Sequence, residues 1–178
     1  GPILGSTRDV YVMNSTFWAD RAHCLFMGTH GNPQGQDTIQ NVLFKNIQLL
    51  EHYEPIERYQ GIMAVNSGEN NVIQKIRFDS IVVEDFNRGQ LFNVQVYLNP
   101  DYMTVPGRSV QDVEFKNIYY NGTGDAPGRI SGYDSTRMVD NIRFKNVFYN
   151  GKRVQKASDA QIRVFGFATN ICFDSCAV

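Results

Sequence analysis

The chain has 178 residues, 42% hydrophobic and 12% aromatic, enough for one continuous core and too few for two ordinary domains. A net charge of −1, a pI near 6.3 and no basic run longer than two residues exclude a nucleic-acid footprint, although a polyanion can still bind locally. No stretch approaches the roughly 18 apolar residues of a membrane span, and no signal-peptide pattern is present.

Along the chain one short phrase recurs: an aliphatic residue, any residue, Phe or Val, any residue, then Asn or Ser. Its copies begin at Val10, Val42, Ile76, Val113, Ile142 and Ile171, about 30 residues apart, the mark of a repeated supersecondary unit. Within each copy the apolar residues alternate with Lys45, Arg77, Glu114, Lys116, Arg143 or Lys145, a period of two that predicts a strand with one buried face. The closing residues Asn14, Asn46, Ser80, Asn117, Asn146 and Ser175 share the parity of the buried positions. They are expected to form a buried ladder at a bend, each bonded to its copy on the next rung. A second strand follows at Ile47, Ile81, Ile118 and Val147. A third is predicted at 25–27, 62–65, 91–96, 129–131 and 162–165. Phe44, Phe78, Phe115 and Phe144 fall at one inward position on successive rungs and predict a continuous aromatic stack.

Three strands per repeat, no helical spacing and a polar ladder predict an all-β chain: a right-handed parallel β-helix of about six rungs, one domain over 1–178. A sandwich or barrel would also have many short strands but would not repeat an inward Asn, and the Leu pattern of a leucine-rich repeat is missing. Gly1-Pro2, and a first phrase with no capping element before it, lead to the expectation that this is the C-terminal part of a longer solenoid whose upstream rungs complete the site. Cys24, Cys172 and Cys176 match no metal spacing. Four residues along an extended strand span about 13 Å, so Cys172 and Cys176 are expected to stay unlinked. Asn14-Ser15-Thr16 and Asn121-Gly122-Thr123 fit the glycosylation pattern, the first being discounted as a buried ladder position.

Function is expected in the loops flanking the third strand, where a long polymer can lie along one sheet. These loops carry flat stacking faces, Trp18, Tyr53, Tyr59, Tyr97, Tyr102 and Tyr133, beside hydroxyl partners such as Asn66, Asn93 and Asn99, with Arg137 a further contact. The densest group is Trp18 to Gly31, which holds Asp20, Arg21, His23 and His30 around one strand. Inverting glycoside hydrolysis needs an acid and a base carboxylate about 6.5–9.5 Å apart, a distance that nearby rungs supply. Asp20 is the candidate acid or base, its partner being Glu54, Glu57, Asp134 or a carboxylate on an earlier rung. His23 is the candidate neighbour that tunes it.

The run from Ala22 to Gly31, followed by Ile39-Gln40-Asn41-Val42-Leu43-Phe44, resembles the Gly-His-Gly-Leu-Ser-Ile-Gly-Ser-x-Gly segment and next strand of the polygalacturonases, glycoside hydrolase family 28. It is also similar to the neighbouring family 49. The resemblance places His23 at the family's active-site His, and Gly28 and Gly31 at its glycines. The family's Arg-x-Lys would fall near Ile62-Met63-Ala64-Val65, and its Asp-Asp pair has only Asp20-Arg21 as a partial echo. The resemblance therefore implies a secreted, periplasmic or cell-surface hydrolase of a neutral or non-pectic polysaccharide, with neither metal nor cofactor. Two alternatives stay open: a glycan-binding or structural β-helix without catalysis, and a polysaccharide lyase, for which Glu84-Asp85 with Arg88 is the only hint.

Overall fold

The computed structural model describes residues 5–19, 23–53, 61–86, 89–123 and 127–176. Five copies of the phrase lie in long strands, β1 (Thr7–Ala19), β3 (Thr38–His52), β5 (Val72–Val83), β7 (Ser109–Tyr120) and β9 (Val139–Tyr149), and the sixth begins in the shorter β12 (Ala168–Phe173) and runs past its end. Between them run β2 (Leu25–Gly28), β4 (Met63–Ser67), β6 (Phe92–Val96), β8 (Arg129–Ser131) and β11 (Arg163–Val164), while β10 (Lys152–Arg153) forms a hairpin with β9. The long strands stack in parallel in chain order, with β12 on β9. The short ones form a second parallel sheet in the order β11-β8-β6-β4-β2. The molecule is a parallel β-solenoid of about five turns.

The register is strict across the phrase, and slips by one residue, Leu50, only where Phe17 pairs with Leu49 and Trp18 with Glu51. Val12, Phe44, Phe78, Phe115, Phe144 and Phe173 pair from rung to rung. The five rings stack with centroids 5.2, 5.0, 4.9 and 4.7 Å apart, as the phrase predicts. Val42, Ile76, Val113 and Ile142 fill the core beside them, and from the opposite sheet Phe92 sets its edge against Phe115 and Phe144. A period-two strand puts these residues inward. Burial of that stripe holds the coil closed.

The second predicted strand is not separate, because each long strand turns two corners without breaking its ladder. One corner is the expected Asn or Ser: Asn14, Asn46, Ser80, Asn117 and Asn146 have φ between 54° and 59°. The other lies five positions earlier, at Asp9, Asn41, Lys75, Asp112 and Asn141. A single left-handed residue shifts the alternation by one, so Lys45 and Asn46 both face outward before Ile47 turns in. The ladder therefore exists, but the expectation that it is buried fails. Asn14 and Asn46 are exposed, and Asn117 and Asn146 half-buried. Asn46 donates to Asn14 (2.7 Å), Asn146 to Asn117 (2.7 Å) and Asn117 to Asp79 (2.9 Å), which stands in for Ser80 on its rung. On the last rung the corner falls on Asp174, not Ser175. The second ladder repeats the device, with Asn41 donating to Asp9 and Asn141 to Asp112. Exposure of Asn14 also removes the reason for discounting its glycosylation pattern.

The last rung differs in a further way. Asn150 and Gly151, both at positive φ, turn β9 back into β10, and a 3-10 turn at Ala157–Ala160 buries Ala160 beside Val154 and Ile162. Cys172 and Cys176 are joined by a disulfide, against expectation. The corner at Asp174 brings their Cα atoms to 5.4 Å, where a straight strand would have kept them apart.

Candidate functional site

The outer face of the five-stranded sheet is set by alternation. One outward column reads Phe26, Ala64, Asn93, Arg129, Arg163, and the next reads Gly28, Asn66, Gln95, Ser131. The inward column between them is Met27, Val65, Val94 and Ile130, and its last member, Val164, is exposed on the final rung. Although they point away from the core, Ala64, Asn66, Asn93 and Gln95 are buried, so the floor of this face over its middle rungs is polar and covered. Gly28, at φ 106°, admits the Asn66 carbonyl where a Cβ would clash.

At the edge where the strands enter this face lie Trp18, His23, Cys24, His52 and Tyr53. Trp18 is 69% exposed on β1, and its indole N–H donates to Glu51 Oε2 across the ladder (2.9 Å). The His23 ring stacks on Phe26 at 4.3 Å, which holds it over the first outward column. Cys24 Sγ and His52 Nδ1 lie 3.3 Å apart, and Tyr53 is half-buried beside them in sequence. Burial pushes the Cys24 thiol up to about 11. Burial, reinforced by the charge of nearby His23, pushes His52 down to about 4. Both groups are held neutral in the sense opposite to a thiolate–imidazolium pair, so this is no cysteine nucleophile.

At the exit edge stand Thr29, His30 and Glu69. His30 Nδ1 is 3.0 Å from Glu69 Oε2, which also accepts the Gly31 N–H, while the Asn71 amide donates to the His30 carbonyl. Thr29 has φ 76°, unusual for a β-branched residue, and its N–H donates to the Asn66 carbonyl at 2.7 Å. The 97–108 segment docks along this edge. Glu69 and Asn70 donate to the carbonyls of Val105 and Pro106, and Tyr97, Asn99 and Met103 are buried, with Tyr102 exposed.

His23 and His30 thus flank opposite ends of β2, and Trp18, Tyr53 and Asn66 gather around the same two rungs. Tyr97 follows β6 one rung further, as a buried rather than a stacking residue. Tyr133 and Arg137 follow β8, three strands along from β2, or roughly 14 Å at the usual strand spacing. Arg137 is bonded to Asp134 at 2.7 Å. Hydrogen bonds from Thr136, with help from Arg137, draw the Asp134 carboxyl down to about 2, so it stays ionised and is unsuited to the acid role considered for it. Asp20 and Tyr59, with Glu54, Glu57 and Arg88, lie outside the described residues.

The sequence reading missed Arg129 and Arg163, although each alternates outward within a short strand of the kind it located. It also missed a trough of about 440 Å³ on the other sheet, lined by Tyr11, Leu43, Lys75, Arg77, Glu114 and Arg143 among others. Within that trough Arg77 pairs with Glu114 at 3.5 Å and Arg143 donates to Asn141. Comparison with protein-family models, with curated proteins and with solved structures finds no match to this chain.

Proposed function

We propose that the chain is a carbohydrate-active β-solenoid, a glycoside hydrolase that holds a polysaccharide along the outer face of its five-stranded sheet. The observation that carries this reading is the chemistry of that face. Asn66, Asn93 and Gln95 form a buried amide layer under its middle rungs, while the exposed side chains of Trp18, Tyr102 and Tyr133 stand at its borders as open stacking surfaces. Open aromatic surfaces at the borders of a sheet suit the flat faces of sugar rings. His23 lies over the first rung, next in sequence to the segment holding Asp20, the residue assigned the acid or base role. The Cys172–Cys176 bond favours an exported protein, since such bonds persist in oxidising compartments.

A glycan-binding solenoid without catalysis is the second reading. It is favoured by the ionised state of Asp134 and by the commitment of Glu69 to His30 and Gly31. One experiment separates the two: binding to a panel of neutral and acidic polysaccharides, read beside the release of reducing ends, for the native chain and Asp20→Asn. Binding in both, with reducing ends released by the native chain alone, is the expected result. Binding without cleavage by either leaves the second reading, and binding to no polysaccharide overturns both.

A further inference from the structure

We propose that the outer face of β8 and β11 is a subsite for an anionic ester on the glycan, a sulfate or phosphate group with three terminal oxygens. The inference rests on the polysaccharide reading above and names the class of sugar that the far end of the groove selects.

Arg129 and Arg163 are register partners in adjacent strands and occupy the same outward column, one rung apart. Like charges so placed repel, and neither is paired with a carboxylate among the described residues. Among the described residues Arg77, Arg137 and Arg153 each have an acidic partner; Arg8, Arg108 and Arg143 lack one too, but only Arg129 and Arg163 are arginines stacked on adjacent rungs. Arg129 is held in place by the Phe165 ring, its Cζ lying 4.6 Å from the ring centroid, which leaves the polar edge of the guanidinium for a ligand. Arg163 is exposed. Phe165 and Tyr133, exposed by 42% and 41%, offer aromatic surface beside the two arginines.

The number of acceptor oxygens decides the ligand. One guanidinium fork saturates the two oxygens of a carboxylate, so two forks carried on adjacent strands, about 4.8 Å apart at the backbone, are better matched by a tetrahedral ester whose three free oxygens can be shared between them. With a chain net charge of −1, general attraction for polyanions is weak, so selection has to come from this pair.

The test is calorimetric titration of the intact chain with dextran, carboxymethyl-dextran, phosphorylated dextran and dextran sulfate of matched size and substitution, and with free inorganic sulfate and phosphate. One of the two tetrahedral esters is expected to bind at least about tenfold more tightly than the carboxymethyl polymer, and which one does identifies the ester. Arg163→Gln, at an exposed position, is expected to abolish that preference, and Arg163→Lys to restore only part of it, because the charge returns without the fork. Equal binding of the carboxymethyl polymer, or an unchanged preference in Arg163→Gln, overturns the assignment. Neutral polysaccharide bound without ester preference sinks this subsite alone. Arg163-dependent binding of free inorganic sulfate or phosphate by a chain that holds none of these polysaccharides sinks the groove reading alone.

Discussion

Replacing Phe115 by Ala tests the solenoid core at its most crowded point. The ring is fully buried, stacked between Phe78 at 5.0 Å and Phe144 at 4.9 Å, with Phe92 edge-on at 4.9 Å. Truncating a buried Phe costs about 3–5 kcal/mol, and each well-placed ring pair adds about 0.5–1.5 kcal/mol beyond its area. With three ring partners and close-packed rungs on both sides, the loss should sit at the top of that range, about 5 kcal/mol. That is comparable to the whole stability of many domains. Phe44 supplies the internal control. It is 8% exposed and stacks on Phe78 alone among the described rings, so Phe44→Ala should cost about 3 kcal/mol. Urea unfolding followed by far-ultraviolet circular dichroism measures both, since Trp18, the one tryptophan, is exposed on the edge strand and reports poorly on a central rung. A loss below about 2 kcal/mol for Phe115→Ala, or no difference between the two variants, would refute the view that the stack acts as one continuous column.

The corners and the buried imidazole give two further expectations. Asn117→Ala removes the bonds to Asp79 and Asn146 and forces Ala to φ 54°, for about 2 kcal/mol in all. Asn117→Gly should lose roughly half as much because glycine accepts that backbone, and equal melting temperatures for the two variants would show that backbone conformation is not the cause. His52, with a folded pKa near 4 against 6.5 unfolded, binds its proton more readily in the unfolded chain. Stability is therefore full above about pH 6.5, falls as the pH drops through the window to about 4 by some 3 kcal/mol, and changes no further through this group below it; a His52→Gln variant that keeps the same loss would clear His52 of responsibility.

The repeat made the fold legible because burial acts on alternation, and alternation is written in the residues themselves. The Phe column, the parallel stacking and the position of the short strands all follow from it. What parity alone could not give was the effect of a left-handed residue, which moves the frame by one place. Parity alone therefore places Asn46 and Asn117 inward, hides the matching corner at Asn41 and Asp112, and puts the Cys172–Cys176 bond out of reach. The candidate site was legible by composition and less so by place. Trp18, His23, His30 and Tyr53 do collect around β2, whereas Tyr133 and Arg137 sit well along the axis, because loops of unequal length return their side chains to different rungs. The pairing of Arg129 with Arg163 was hidden for the same reason, since register between distant segments is a property of the coil and not of either segment.

The two corners stand five positions apart on every one of the first five rungs, so the facet between them has a constant width. Apart from the one-residue bulge at Leu50, the variation in repeat length is therefore absorbed on the opposite side of the coil, in the connections around the five-stranded sheet. The molecule thus separates its metre from its text. The facet between the corners keeps count, while the other wall can lengthen, shorten or exchange its loops without disturbing the alignment of the rungs. Grafting a new binding surface onto this chain would succeed or fail according to which wall received it.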